Sequence, residues 1–200
     1  MIDSNYFENQ KIIDIKSGLH FSLALVENYD SKETNIYAWG FNGFGSLGLG
    51  DPVNRNIPFK IDPSCFDGRI VSIGTSNHKS FAITEKHGSK KTMIYEWGTN
   101  RQQETKTDHF HPNVMDIDHF NSEKIVFIGG NHIWCVQSFV ISETGKLFTW
   151  GNNQYGQLGL GNNDNFNTPQ PCCPDLFGSI NTNKKMYNNE SFEDVRMEFQ

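Results

Sequence analysis

The chain has 200 residues and a formal net charge of −6; 36% of it is hydrophobic and 13% is aromatic. That length holds one domain or two small ones, and so many Phe, Tyr and Trp exclude wholesale disorder. No apolar run approaches the roughly 18 residues of a membrane span, and an acidic balance with only Lys90-Lys91 and Lys184-Lys185 paired argues against direct nucleic-acid binding.

Met1 to Gln10 carries Asp3 and Glu8 and has neither the basic nor the apolar region of a secretory leader. The cysteines Cys65, Cys135, Cys172 and Cys173 show no Cys-x-x-Cys spacing, which predicts free thiols in an intracellular protein, cytoplasmic or nuclear, with no metal among them. The sequon Asn189-Glu190-Ser191 is then without meaning. From Ile12 to Leu25 a short β-rich run, a polar turn and a second run follow one another; Phe21, Leu23 and Leu25 alternate with Ser22 and Ala24, the period of a half-buried strand. A polar loop, Glu27 to Asn35, leads to a third run that ends at Trp39-Gly40. Ile70 to Ile83 repeats the first two runs, and the loop Glu85 to Thr92 leads to Trp97-Gly98. His20 and His78 each precede their Trp by 19 residues. In a third copy Ser142 to Lys146 replaces the loop, with Gly145 placed for a positive φ, before Trp150-Gly151. Here Ile128 and Ile141 lie 13 apart, where Ile15 to Leu25 and Ile73 to Ile83 span 10, so an insertion falls around Asn131 to Val136.

The Trp-Gly dipeptides are 58 and 53 residues apart. Trp39-Gly-Phe-Asn-Gly-Phe-Gly-Ser-Leu-Gly-Leu-Gly50 aligns without a gap on Trp150-Gly-Asn-Asn-Gln-Tyr-Gly-Gln-Leu-Gly-Leu-Gly161, and Pro58 and Pro169 each follow 19 residues after the Trp. Short strands, Gly-rich turns and a period just above 50 residues predict an all-β chain, a partial β-propeller of about three four-stranded blades. The boundaries are 11–62, 68–119 and 122–174, with a polar tail at 175–200. In that tail Phe192, Val195 and Phe199 follow a Ser191-x-x-Asp194 cap and predict a short helix at 190–199. The chain resembles the regulator of chromosome condensation repeat family. Gly18, His20, Ser22, Leu25, Trp39, Gly40, Asn42, Gly45, Leu47, Gly48 and Gly50 carry its signature in the first copy. Gly151, Asn153, Gly156, Gln157, Leu158, Gly159 and Gly161 carry it in the third. The second copy keeps His78, Trp97 and Gly98, then loses its glycines in Arg101 to Lys106. The resemblance implies seven blades in a full ring, so three repeats leave the ring to be completed by another chain or open to self-association.

Candidate chemistry is sparse. Gly43-Phe-Gly45-Ser-Leu-Gly48 fits the dinucleotide fingerprint, but Asp51-Pro52 follows where a helix must open, so the glycines are read as turn residues and no cofactor is expected. His20 and His78 are read as buried imidazoles bonding backbone or a neighbouring blade. His109 and His111, with Asp108, Asp116, Asp118 and His119 nearby, have the residue types of a divalent site, and are read as a polar loop. Ile125, Phe127, Phe139 and Ile141 are read as core strand faces and not pockets. No nucleophile elbow or zinc-protease helix occurs, and no enzyme is expected. The expected function is a non-catalytic protein-interaction or scaffold module. The alternative that the resemblance implies is guanine-nucleotide exchange on a small GTPase. The candidate partner contacts are Arg101, Lys106, Asp108, His109, Phe110, His111, Asp116 and Asp118, in a segment expected to project from the blade, and Trp134 in the insertion.

Overall fold

The computed structural model describes residues 4–86, 88, 91–99, 109–115, 118–120, 123–130 and 137–172. The tail at 175–200 lies outside them, as do Arg101, Lys106, Asp108, Asp116 and Trp134. Three antiparallel four-stranded sheets follow one another along the chain. The first holds β1 (Lys11–Ser17), β2 (Phe21–Glu27), β3 (Thr34–Gly40) and β4 (Arg55–Lys60). The second holds β5 (Arg69–Ser76), β6 (Lys79–Glu85), β7 (Thr92–Trp97) and β8, which is only Asn113–Val114. The third holds β9 (Ile125–Gly130), β10 (Gln137–Ser142), β11 (Leu147–Gly151) and β12 (Phe166–Pro171). Each sheet is a meander in which chain neighbours pair, so short hairpins suffice and no crossover is needed. Among the described residues no helix is long and apolar enough to cross a membrane.

The registers superpose: Ser22 pairs with Trp39, Ser80 with Trp97 and Ser138 with Trp150. The first strands of successive sheets pack together, β1 on β5 and β5 on β9. A sheet has two faces with period 2, and here both are used. One face of the first sheet (Leu23, Leu25, Ile36, Leu47) meets Ile70, Ile73, Ala82, Tyr95 and Trp97 of the second in one buried cluster. The second sheet turns Phe81, Ile83 and Ile94 towards Ile125, Ile128, Val140, Phe148 and Trp150 of the third. Each sheet thus has a forward face and a back face, and the core lies between sheets. Gly48 and Gly159 turn the chain at matching positions with φ of 68° and 69°, and Gly145 has φ 83°.

Candidate functional site

The Trp-Gly repeat is followed by a turn that Asn42 closes. Its Oδ1 accepts from the Leu47 N–H at 2.9 Å, its Nδ2 donates to the Asp51 carbonyl at 2.5 Å, and its own N–H donates to Asn54 Oδ1 at 2.7 Å. Asn153 repeats this with Leu158, Asn162 and Asn165 at 2.9, 2.8 and 2.7 Å. Both asparagines are fully buried and spend their polar atoms on backbone and on one another's kind, a structural task.

The turn faces the next sheet. The Ser46 carbonyl accepts from Trp97 Nε1 at 2.9 Å and from Ser80 Oγ at 2.7 Å, while Ser46 Oγ donates to the His78 carbonyl at 2.7 Å. This is why Trp recurs: its indole fills the back face of a sheet, and its N–H ties that face to the turn of the sheet before. A second recurring device was missed from the sequence. Three 3₁₀ turns precede the three sheets, Ser4–Phe7, Pro63–Cys65 and Asp118–Phe120. Each brings a phenylalanine edge-on to the back face. Phe7 lies 5.3 Å from Tyr37 and 6.2 Å from Trp39. Phe66 lies 5.1 Å from Tyr95 and 6.1 Å from Trp97, and Phe120 lies 5.4 Å from Phe148 and 6.4 Å from Trp150. The signal was present as a Phe 32, 31 and 30 residues before each Trp, but a lone Phe in a variable connection has no periodicity to announce it.

Along one rim, the β1–β2 turn, the β5–β6 turn and the first sheet's Gly-rich turn gather four rings. Phe41 lies 6.3 Å from His20, 5.6 Å from Phe44 and 6.2 Å from His78, and Phe44 lies 4.4 Å from His78. The expectation of two buried imidazoles needs correction. His78 is buried beneath Phe44, but His20 is exposed, because no preceding sheet in the chain covers its turn. The same cause leaves Trp39 half-buried while Trp97 is fully buried.

The described part of the second-repeat connection is also unlike its expectation. His109 to His111 does not project; it lies on the first sheet's turn. The Gly98 N–H donates to the His109 carbonyl at 2.8 Å, the Gly50 N–H to the Phe110 carbonyl at 2.9 Å, and the Thr99 N–H to the Phe44 carbonyl at 3.0 Å. A Cβ on Gly45 would stand 2.6 Å from the His109 carbonyl oxygen, so bare backbone is what lets the connection close in. His109 and Phe110 are half-buried, His111 is exposed, and Asp118 is exposed at the start of its 3₁₀ turn. Among the described residues no group of His, Cys, Asp or Glu gathers into a metal site.

On the third sheet a cavity of about 280 Å³ opens on the forward face, lined by Phe139, Ile141, Leu147, Leu158 and Cys172 among others. Phe139 and Ile141 therefore line a pocket, against expectation, because no fourth sheet lies over them; Ile125 does belong to the core.

Stacked Trp-Gly sheets joined through Gly-rich turns define a partial β-propeller. Models of the "Regulator of chromosome condensation (RCC1) repeat" match residues 34–83 and 144–177, and a second such model matches residues 124–157. The chain belongs to this repeat family. It is 28% identical over 178 residues to the probable E3 ubiquitin-protein ligase HERC4 of Homo sapiens, covering 86% of this chain and 15% of that protein. To the ultraviolet-B receptor UVR8 of Arabidopsis thaliana it is 27% identical over 164 residues, 78% of this chain and 33% of the receptor. Among solved structures, human WBSCR16 superposes with a TM-score of 0.66 at 18% identity over 88% of this chain and 42% of that one. Prp20p of Saccharomyces cerevisiae, whose structure was described with its binding to Gsp1p and histones, gives 0.60 at 17% identity over 83% and 39%. The chain thus spans well under half the length of each of these.

Proposed function

We propose that the chain is a non-catalytic protein-interaction module, and that the aromatic rim of His20, Phe41, Phe44 and His78, with the attached second-repeat connection, is its contact surface. The observation that carries this is the rim itself. Phe41 and Phe44 stand half-buried beside an exposed His20, where packing between sheets does not use them. Aromatic side chains with a polar neighbour are the residue types that dominate protein interfaces. Thr99 and His109, the described ends of the candidate contact segment, are both tied to this turn, so Arg101, Lys106 and Asp108 leave from and return to the same rim. Repeat folds of this kind bind through rims and loops, and their activities as whole proteins come from what is attached or assembled.

Capture from cell extract with the wild-type chain and a Phe41→Ser/Phe44→Ser variant tests this. Proteins held by the wild type and lost from the variant, with melting unchanged, are the expected result; equal retention by both moves the contact off the rim. Exchange activity is the alternative that the family resemblance implies, and Prp20p is described with Gsp1p. Accelerated nucleotide release from any of a panel of small GTPases would favour that reading over a passive module.

A further inference from the structure

The stack ends in two unlike apolar faces, and they are the two halves of an interface the chain already makes twice. Leu23, Leu25 and Ile36 on the first sheet's forward face are 0%, 1% and 1% exposed, and Phe81, Ile83 and Ile94 on the second's are 0% exposed. By register their equivalents on the third sheet are Phe139, Ile141 and Leu147, which are half-buried around the open cavity. At the other end, Ile70 and Ile73 are 3% and 0% exposed and Ile125 and Ile128 are 2% and 0%, but their equivalents Ile12 and Ile15 are 47% and 58% exposed. Phe7 already stands against Tyr37 and Trp39, as Phe66 and Phe120 do in the two completed interfaces. It therefore prepares the back face and does not block it.

Charge and hydrogen bonding match in the same way. At each internal junction the residue closing the second strand pairs with the base opening the next sheet: Glu27 with Arg69 at 2.8 Å, and Glu85 with Lys124 at 2.9 Å. The equivalent positions at the two ends are Glu143 and Lys11, an acid at one end and a base at the other. Glu143 reaches only to 3.7 Å from Lys124, and its side chain is 64% exposed. At the first junction the Ser46 carbonyl receives Trp97 and Ser80. Gln157 stands where Ser46 does, and Trp39 and Ser22 stand where Trp97 and Ser80 do.

We infer that the occupant of the open forward face is the back face of a second copy of this chain, and that two copies close head to tail into a six-bladed ring. Each copy supplies one forward and one back face, so the contact is heterologous and two identical interfaces close it. Six blades lie within the four to eight that propellers use. Residues 173–200 contain no Trp and no Trp-Gly strand, so they cannot reproduce the indole and its hydrogen bond; a second copy does. The inference does not rest on the rim proposed above.

The test uses the full chain and two variants, Ile15→Lys on the back face and Phe139→Glu on the forward face, both at positions that are not fully buried in the single chain. Light scattering is expected to give a mass of two chains for the wild type and one chain for each variant, with melting and circular dichroism showing each variant folded. Mixing the two variants is expected to restore the two-chain mass, since one of the two junctions is then wholly native and the other sets the introduced lysine against the introduced glutamate. A one-chain mass for the wild type, a two-chain mass that survives either substitution, or variants that stay separate on mixing would each overturn the inference. An open ladder of larger masses would overturn the closed ring. The Phe41→Ser/Phe44→Ser variant is expected to keep the two-chain mass, which separates failure here from failure of the rim.

Discussion

Gly48 and Gly159 are the same residue in the same turn, with φ of 68° and 69°, yet their surroundings differ. A Cβ on Gly48 would lie 2.8 Å from Trp97 Nε1, within the packed junction to the second sheet, whereas a Cβ on Gly159 meets only Cys172 Sγ at 3.5 Å. Left-handed backbone costs an L-residue roughly 1–2 kcal/mol, offset slightly by a stiffer unfolded chain. Gly159→Ala should therefore lower stability by about 1 kcal/mol in denaturant titration. Gly48→Ala should cost more, because the indole must also give way. Equal losses at the two sites would mean that backbone strain alone sets the cost. The buried asparagines show the opposite regularity: Asn42 and Asn153 have matching bonds because their partners lie within their own turn.

Between elements, the chain uses carboxylates to fasten connections. Glu123, just ahead of β9, accepts from Thr144 Oγ1 and from Lys146 Nζ, each at 2.5 Å, and so ties the entry of the third sheet to the β10–β11 turn. Bonding to Lys146, then to Thr144, holds the Glu123 carboxyl below its usual range against a smaller opposing effect of burial. The folded group is thus the stronger acid. Its stabilisation is complete above the unfolded value, near about 4.3, and is lost as pH falls through the folded value. Glu123→Gln should lower stability at pH 7 by roughly 0.5–1 kcal/mol, the range of an accessible ion pair. It should also flatten the fall in stability below about pH 5. An acid titration that overlays the wild type would remove Glu123 from that account. Asp51, lowered by Arg55 and by the Val53 N–H, remains to supply its own share of the acid sensitivity.

For the whole molecule the stacking order decides rigidity. The second sheet has a neighbour on each face within one chain, and β5 packs against both β1 and β9. Slow amide exchange comes from backbone that opens only when much of the structure does. Amides of β5 and β6 should exchange slowest. Those of β12, an edge strand, and of β8, a two-residue pairing with Val114 57% exposed, should exchange fastest. Uniform protection across the three sheets would show that the chain opens as one unit and not from its ends.

The strands, their order and the turns were legible in the amino-acid sequence because they are local. Period-2 alternation in Phe21 to Leu25, a glycine where φ is positive, and the Trp-Gly motif with its turn all act within about 20 residues, and repetition exposes them. The 3₁₀ phenylalanines were not legible, since only the fold brings Phe7, Phe66 and Phe120 to their tyrosines, tryptophans and Phe148. Nor was burial. His20 and His78, Trp39 and Trp97, Ile15 and Ile73, Phe139 and Leu23 are pairs of equivalent positions that differ in exposure. The sequence by itself determined what each repeat is. Tertiary structure alone decided which of its faces are covered, because the hydrophobic core of a stacked repeat is built from two neighbours, and a residue's own repeat holds only half of it.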